Sequence, residues 1–192
     1  FRKLRTEDFQ AIITEQEAAG KSKSTCEKLV QLFGQLSKWA IREGIATTNY
    51  AQFVTVLAQQ KSRKTPFTEE QIQAIQASEL QAAQIVLILI GTGCRPNELF
   101  GVTVDNCAPD YFISGSKTEA GRNRVIPVCP IGQTAYTQLL QRAKEQGAKR
   151  LIDAYTGNKT ATNFAKRDFR DLMSEIGAVD MTPYNCRHTF ST

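Results

Sequence analysis

A six-residue apolar run, Ile85-Val-Leu-Ile-Leu-Ile90, is the feature that most constrains the fold. It has no polar face, so it must be buried on all sides. It is also far shorter than the roughly 20 apolar residues that span a membrane. We therefore predict a buried helix from about Gln81 to Ile90, which the glycines of Gly91-Thr-Gly93 break.

The first part of the chain, residues 4–60, has the apolar spacing of helices throughout. Thr6-Glu-Asp-Phe9 is typical of a helix start, and Ser24-Thr-Cys-Glu27 matches a capping box, in which a serine and a glutamate bond the first-turn amides. The helix that follows this box should end at Gly44. A third helix is predicted from Asn49 to Gln60.

Beyond Pro66 the pattern is mixed. Thr68-Glu-Glu-Gln71 is a second capping box, and Pro96 suits the first turn of another helix. Further helices are predicted over about 131–146, over 160–177 and from Pro183. Between them, alternating residues predict three short strands, at Val102–Val104, Tyr111–Lys117 and Arg124–Val128. The last two flank Glu119–Asn123, a polar segment that we interpret as a hairpin turn.

The predicted fold class is thus mostly α with a small antiparallel sheet, in two domains. We expect a helical domain over residues 1–60, a basic linker over 61–66, and a mixed α+β domain over 67–192. Hydrophobic residues at 41% and charged residues at 22% are typical of a globular protein.

The charge is uneven along the chain. The first 65 residues hold eleven Lys and Arg against six Asp and Glu, whereas the remaining residues balance, and the net charge is +5. This asymmetry favours a polyanionic partner for the first domain. A solvated, lysine-rich helix face is an equally good explanation of the charge alone.

The cysteines and the single histidine exclude several functions. The five cysteines are scattered, odd in number and never spaced C-x-x-C, which argues against a zinc site and a disulfide framework. Reduced thiols in the cytosol are the expected state. His188 is expected to be a packed helix histidine, so neither a histidine triad nor a metal enzyme is indicated. We expect no metal and no other cofactor.

Three cationic motifs are candidates for one phosphate site. Arg95 follows a glycine-rich break and begins a helix, and Arg187 lies on one helix face with Tyr184. An arginine fork donates parallel hydrogen bonds to phosphate oxygens. Each motif alone has a simpler explanation: Arg95 can pair with Glu98 along its helix, and Lys117 can be an edge-strand charge.

Together and in this order, the motifs resemble the tyrosine recombinases, or phage-type integrases, and most closely those of temperate phages and conjugative transposons. The resemblance covers nearly the whole chain. Gly91-Thr-Gly-Cys-Arg95-Pro-Asn-Glu98-Leu is similar to the first arginine box of that family. Gly115-Ser-Lys117-Thr with Arg124-Val-Ile-Pro is similar to its lysine hairpin, and Cys186-Arg187-His188-Thr-Phe190 to its second arginine box.

The resemblance implies a site-specific DNA recombinase that breaks and rejoins strands through a 3′-phosphotyrosyl intermediate. Arg95 and Arg187 would clamp the scissile phosphate, and Lys117 would protonate the leaving oxygen. Tyr184 stands where the family has a histidine. Glu98 would support its helix. Duplex DNA would be contacted by residues of both domains, namely Lys28, Arg63, Lys64, Thr118, Arg122, Asn123 and Arg124.

The resemblance also implies what the chain lacks. The family's nucleophilic tyrosine follows the second arginine box, so we expect a fragment that binds DNA and does not cleave it. The chain also begins at Phe1 without an initiator Met. The intact protein would act in the bacterial cytosol, at the nucleoid, as a homotetramer on paired sites, with no membrane partner.

Two other functions fit the same motifs. A relative of type IB topoisomerases would share the phosphate chemistry without exchanging strands between sites. A regulator that kept the DNA clamp and lost cleavage is the non-enzymatic alternative, which Tyr184 in place of histidine favours. The small helical domain and its linker favour the integrase.

Overall fold

The computed structural model of the protein describes residues 3–57, 65–114 and 123–192. The chain divides into two compact units, Phe1–Ser62 and Arg63–Thr192. Within the described ranges, no helix has both the length and the apolar character needed to cross a membrane.

The first unit is built on two helices, α1 (Thr6–Ala18) and α2 (Lys23–Arg42). The cap of α2 is Ser22, whose hydroxyl accepts the Thr25 N–H at 3.3 Å, so the capping box predicted at Ser24 is wrong. The helices bury a small core in which the Phe9 and Phe33 rings lie 5.2 Å apart.

The helix predicted from Asn49 to Gln60 is wrong over its described part. A short 3-10 helix covers Tyr50–Phe53, and the chain then continues without regular structure to Leu57. Side chains of α1 bond this backbone instead: Gln10 exchanges two hydrogen bonds with Thr55, at 2.9 and 3.0 Å, and Glu17 accepts the Leu57 N–H at 2.7 Å. Residues 58–60 lie outside the described residues.

The second unit is arranged around α4 (Ala82–Thr92), which confirms the predicted buried helix. It packs against α6 (Pro130–Glu145) and α9 (Pro183–Phe190). Glycines permit the close approach to α6, because a Cβ on Gly91 would lie 2.8 Å from the backbone nitrogen of Gly132. The remaining helices are α3 (Glu69–Ala77), α5 (Pro96–Gly101), α7 (Ala161–Lys166) and α8 (Asp168–Glu175).

The predicted capping box of α3 is confirmed, with Thr68 and Gln71 bonding each other's backbone amides. The helix predicted over 160–177 is instead two helices, α7 and α8, because the backbone leaves helical geometry at Arg167 (φ −124°, ψ −85°). The carboxylate of Asp168, at the start of α8, accepts the Asn158 N–H at 2.7 Å and the Tyr155 hydroxyl at 2.9 Å. These bonds tie the start of α8 to the loop before α7.

A small antiparallel sheet confirms the predicted fold class. β1 (Tyr111–Ser114) pairs with β2 (Arg124–Pro127), with Tyr111 opposite Pro127 and Ser114 opposite Arg124. The third strand predicted at Val102–Val104 is wrong: Thr103 makes one isolated bridge to Arg150, and a 3-10 helix begins at Val104. The backbone groups of Val102 and Val104 bond the 149–151 segment instead, so among the described residues this segment adds no third strand to the sheet.

The end of α4 requires a glycine. Gly93 closes the helix in the left-handed conformation (φ +57°), which side chains with a Cβ adopt at a cost. A Cβ there would also lie 2.3 Å from Cδ1 of Phe190, on α9. The glycine therefore sets both the direction in which the chain leaves α4 and the distance to α9.

We expect Gly93→Ala to lower the free energy of unfolding of the second unit by about 2–4 kcal/mol, because strain and a ring clash act together. Chemical denaturation followed by far-UV circular dichroism measures this change. Gly177→Ala is the matched control, since Gly177 has φ +66° with no atom within 4 Å of a built Cβ, and should cost only about 1 kcal/mol. Equal losses in the two variants would contradict the close contact with Phe190.

Candidate functional site

Arg95 lies where the chain turns from α4 into α5. Its extended backbone (φ −74°, ψ 145°) precedes Pro96 at the first position of α5, as predicted. The Arg95 N–H donates to Oε2 of Glu98 at 2.8 Å, and Nη1 donates to Oε1 at 2.9 Å. The ion pair that was the simpler explanation of Arg95 therefore forms, and 44% of the arginine side chain is still exposed.

Arg187 lies on α9 and reaches the same turn. Its Nη1 donates to the carbonyl oxygen of Gly93 at 2.6 Å, across 94 positions of the sequence. This carbonyl is only two residues from Arg95, so one short turn of backbone joins the two arginine motifs. The structure thus brings Arg95 and Arg187 to neighbouring positions.

The placement of α9 depends on two polar residues that the sequence prediction missed. Asn185, only 5% exposed, donates from Nδ2 to the carbonyl of Thr65 at 2.8 Å, and Thr189 Oγ1 accepts the Phe67 N–H at 2.9 Å. Oδ1 of Asn185 also accepts the Thr182 N–H at 2.8 Å. A Thr-x-x-Asn sequence at a helix start was the available signal, because this spacing is that of a cap.

Arg124 is the first residue of β2, and its side chain is paired. Nη2 donates to Oε2 of Glu98 at 2.9 Å, while the Ser114 hydroxyl donates to the Glu98 carbonyl at 3.1 Å. Arg124 and Arg187 both line a pocket of about 230 Å³ against Gly93 and Phe190. The predicted basic tip is thus described only in part, with Asn123 exposed at φ 52° beside it.

Several predicted site residues cannot be placed. Lys117, Thr118 and Arg122 of the hairpin lie outside the described residues, as do Arg63 and Lys64 of the linker. Lys28 is described and lies exposed on α2, in the first unit.

Glu98 is the anionic centre of the site. Its side chain is only 9% exposed. Burial acts to raise the pKa of this carboxyl, but the hydrogen bonds from Arg95 and the charges of Arg124 and Arg95 outweigh it and hold the pKa below the usual value of 4.5. Glu98 is therefore a carboxylate at neutral pH.

Two buried cysteines precede the two arginines. Burial raises the pKa of the Cys94 thiol to about 11, and burial also raises the pKa of Cys186. Both are protonated at neutral pH and act as small packing residues under the site. Within the described ranges, no group of three or more His, Cys, Asp or Glu side chains could hold a metal ion.

Tyr184 and His188 are on the outer surface of α9. Tyr184 is 47% exposed and lies on the wall of an open groove of about 1040 Å³, together with Asn97 of α5 and Arg170 of α8. His188 is exposed, so the expectation of a packed histidine is wrong. Cys186 faces the core, and a residue two positions later lies on the opposite side of an α-helix.

The fold matches solved integrases. It superposes on the Tn1549 transposon integrase in complex with circular intermediate DNA, with a TM-score of 0.76 and 22% identity over 98% of this chain and 72% of the other. For a lambda integrase dimer bound to a COC′ core site, the TM-score is 0.73, with 16% identity over 100% of this chain and 73% of the other.

Sequence relatives point the same way. Tyrosine recombinase XerC of Mycobacterium bovis is 24% identical over 91% of this chain, and XerC of Listeria innocua is 21% identical over 96%. The chain covers 64% of the length of the mycobacterial protein. No family model matches the chain.

The chain is therefore similar to tyrosine recombinases in sequence and has the fold of solved integrases. Within this fold, the two arginine motifs meet at the turn after α4, and one carboxylate connects Arg95 to the start of β2. The resemblance drawn from the sequence rested on the order of the three motifs, since each motif alone has a simpler explanation.

The stabilising effect of Glu98 should depend on pH. Because folding lowers the pKa of Glu98, its carboxylate stabilises the fold at pH values above the pKa of the unfolded chain, near 4.5. This stabilisation is lost as the pH falls through the pKa of Glu98 in the folded protein. Glu98→Gln should therefore unfold more easily than the wild type at neutral pH, with the difference shrinking below pH 4.5. Denaturant titrations across this range measure the effect. Glu79→Gln, at an exposed position, is the control; a difference independent of pH would contradict the ion pairing of Glu98.

Proposed function

We propose that the protein is a site-specific DNA recombinase of the integrase type, which breaks and rejoins strands through a 3′-phosphotyrosyl intermediate. The observation that carries this proposal is the meeting of Arg95 and Arg187 at one turn, where the Arg187 guanidinium bonds the Gly93 carbonyl. Two guanidiniums held at one turn suit the negative charge that gathers on a phosphoryl group in its transition state. The XerC relatives are named tyrosine recombinases, which supports the same reaction.

Each residue has one role in the proposed reaction. A tyrosine oxygen attacks phosphorus, the bond to the 5′ oxygen breaks, and Lys117 donates a proton to that leaving oxygen. Arg95 and Arg187 bind the non-bridging oxygens throughout. The tyrosine's proton passes to solvent or a base, and the phosphodiester energy is retained in the new ester, so the reaction needs no nucleotide.

Tyr184 takes the position of the family's histidine in this proposal. A phenol can donate a hydrogen bond to a phosphate oxygen, but it is a weaker base than an imidazole. Its exposure at the start of α9, on the same helix as Arg187, suits a contact with phosphate.

We propose that the nucleophilic tyrosine follows Thr192 in the natural protein. Three of the five tyrosines of this chain are poorly suited to attack. Tyr136 and Tyr155 are buried, and their hydroxyls bond the Ala108 carbonyl at 2.8 Å and the Asp168 carboxylate at 2.9 Å. Burial raises the pKa of both phenols, and Tyr50 belongs to the first unit.

The proposed partner is duplex DNA, bound by both units. The solved integrases support this, since their structures hold circular intermediate DNA or a core site, and a lambda integrase tetramer holds a Holliday junction. The proposed assembly of the intact protein is accordingly a homotetramer on paired sites in the bacterial cytosol. Residues 1–60 would form the core-binding domain, 61–66 the linker and 67–192 the catalytic domain. The proposed backbone contacts are Lys28, Arg63, Lys64, Thr118, Arg122 and Asn123.

Binding to duplex DNA should weaken steeply with salt, because phosphate contacts release counterions. We expect the affinity of this chain to fall by more than about tenfold between about 50 and 200 mM salt. Lys28→Gln should reduce the slope of log affinity against log salt by about one. Fluorescence anisotropy with a labelled duplex measures both. Lys144→Gln, exposed at the end of α6, should leave the slope unchanged; an affinity insensitive to salt would contradict the proposal.

Loss of Arg187 should strongly slow cleavage. In the natural full-length protein, Arg187→Ala should slow formation of the covalent protein–DNA adduct on a nicked substrate by about a hundredfold or more, because one transition-state donor is lost. Arg187→Lys keeps the charge without the fork and should also be slow. Thermal unfolding identifies a variant that merely misfolds.

The outcomes separate the candidate functions. An adduct at the wild-type rate in folded Arg187→Ala would contradict the site. Binding without any adduct in the wild type would favour the regulator, and relaxation of a plasmid without a second site would favour the topoisomerase.

A further inference from the structure

A single carboxylate holds two guanidiniums from different elements of the second unit. Oε1 of Glu98 pairs with Arg95 at 2.9 Å, and Oε2 pairs with Arg124 at 2.9 Å. Oε2 also accepts the Arg95 backbone N–H at 2.8 Å. The carboxylate is 9% exposed, whereas the two arginine side chains are 44% and 37% exposed.

This sharing changes what Arg95 can do. An arginine and a carboxylate left to themselves favour a bidentate pair, in which two parallel N–H groups bond the two oxygens. Here Arg124 and a backbone amide hold Oε2, and Arg95 bonds Oε1 through Nη1. The three side chains together carry a charge of +1 in place of a neutral pair, and the rest of the Arg95 fork is not taken up by Oε2.

Arg124 itself is held for this contact. Its Nε is one of two buried side-chain polar atoms in the described residues that have no hydrogen-bond partner. A buried N–H without a partner costs free energy, so the ion pair with Glu98 must outweigh that cost to keep the side chain where it is. This fixed arrangement of the Arg124 side chain suits a positioning role better than a mobile contact with the DNA backbone.

We propose that Arg124 is a positioning residue for Arg95. By occupying Oε2 of Glu98, it prevents Arg95 from closing a bidentate pair and leaves the remaining N–H groups of the Arg95 guanidinium for the scissile phosphate. The inference rests on the proposed recombinase reaction. It assigns Arg124 to the first arginine of the site and away from the DNA-backbone contact predicted from the sequence.

A double-mutant cycle on Glu98 and Arg124 tests the proposal in the natural full-length protein, with single-turnover formation of the covalent DNA adduct as the measurement. Arg124→Gln should slow the adduct by about ten- to a hundredfold, as expected when a catalytic group is misplaced. Glu98→Gln should suppress this defect, because a neutral amide at this position cannot draw Arg95 into an ionic pair. The double variant should therefore react faster than Arg124→Gln and about as fast as Glu98→Gln.

Two further variants serve as controls. Arg124→Lys can still bond Oε2 and should retain most of the rate. Arg150→Gln removes a comparable arginine–carboxylate pair of the same unit, Nη2 to Asp153 Oδ1 at 2.7 Å, and should react at the wild-type rate.

The alternatives give different results. If Arg124 contacts DNA phosphate directly, the double variant is as slow as Arg124→Gln or slower, and the salt slope of duplex binding falls by about one. Either result would overturn the proposal. A wild-type protein that forms no adduct would instead remove the proposed function, so the two failures are distinguishable.

Discussion

The contact between α9 and the carboxyl end of α4 places Arg187 at the turn that carries Arg95. At this contact the Phe190 ring covers Gly93, and the Arg187 guanidinium bonds the Gly93 carbonyl. Side chains at residues 185 and 189 bond the backbone of the segment that enters the unit, at Thr65 and Phe67. The helix that carries the second arginine is therefore fixed along its length before any ligand binds.

The ion pairs of Glu98 are the second set of contacts that hold the site together. A nearly buried carboxylate is costly unless it is paired and hydrogen-bonded. Glu98 meets that requirement with Arg95 and Arg124, which come from the start of α5 and from β2. The same carboxylate thus fixes the turn after α4 to the base of the hairpin.

The sequence predicted the parts of the fold that depend on local rules. The apolar run of α4, the Thr68 capping box and Pro96 at the start of α5 all depend on residues within one or two turns, and all three are confirmed. The capping box predicted at Ser24 failed locally, because Ser22 caps α2, whereas two other wrong predictions depended on distant partners. Residues 54–57 are not helical because Gln10 and Glu17 bond their backbone, and Val102 and Val104 bond the 149–151 segment.

The same limit applied to the site. Spacing and order identified Arg95 and Arg187, whereas the bond from Arg187 to Gly93 and the shared Glu98 carboxylate join residues 94 and 26 positions apart. No local pattern indicates such contacts.

We propose that Arg95 and Arg187 form one phosphate clamp. A crystal structure of the protein bound to duplex DNA containing its recombination site tests this most directly. Both guanidiniums should lie within about 3 Å of non-bridging oxygens of the same phosphate. Guanidiniums on two different phosphates, or an Arg95 that remains turned toward Glu98 with no phosphate contact, would contradict the account.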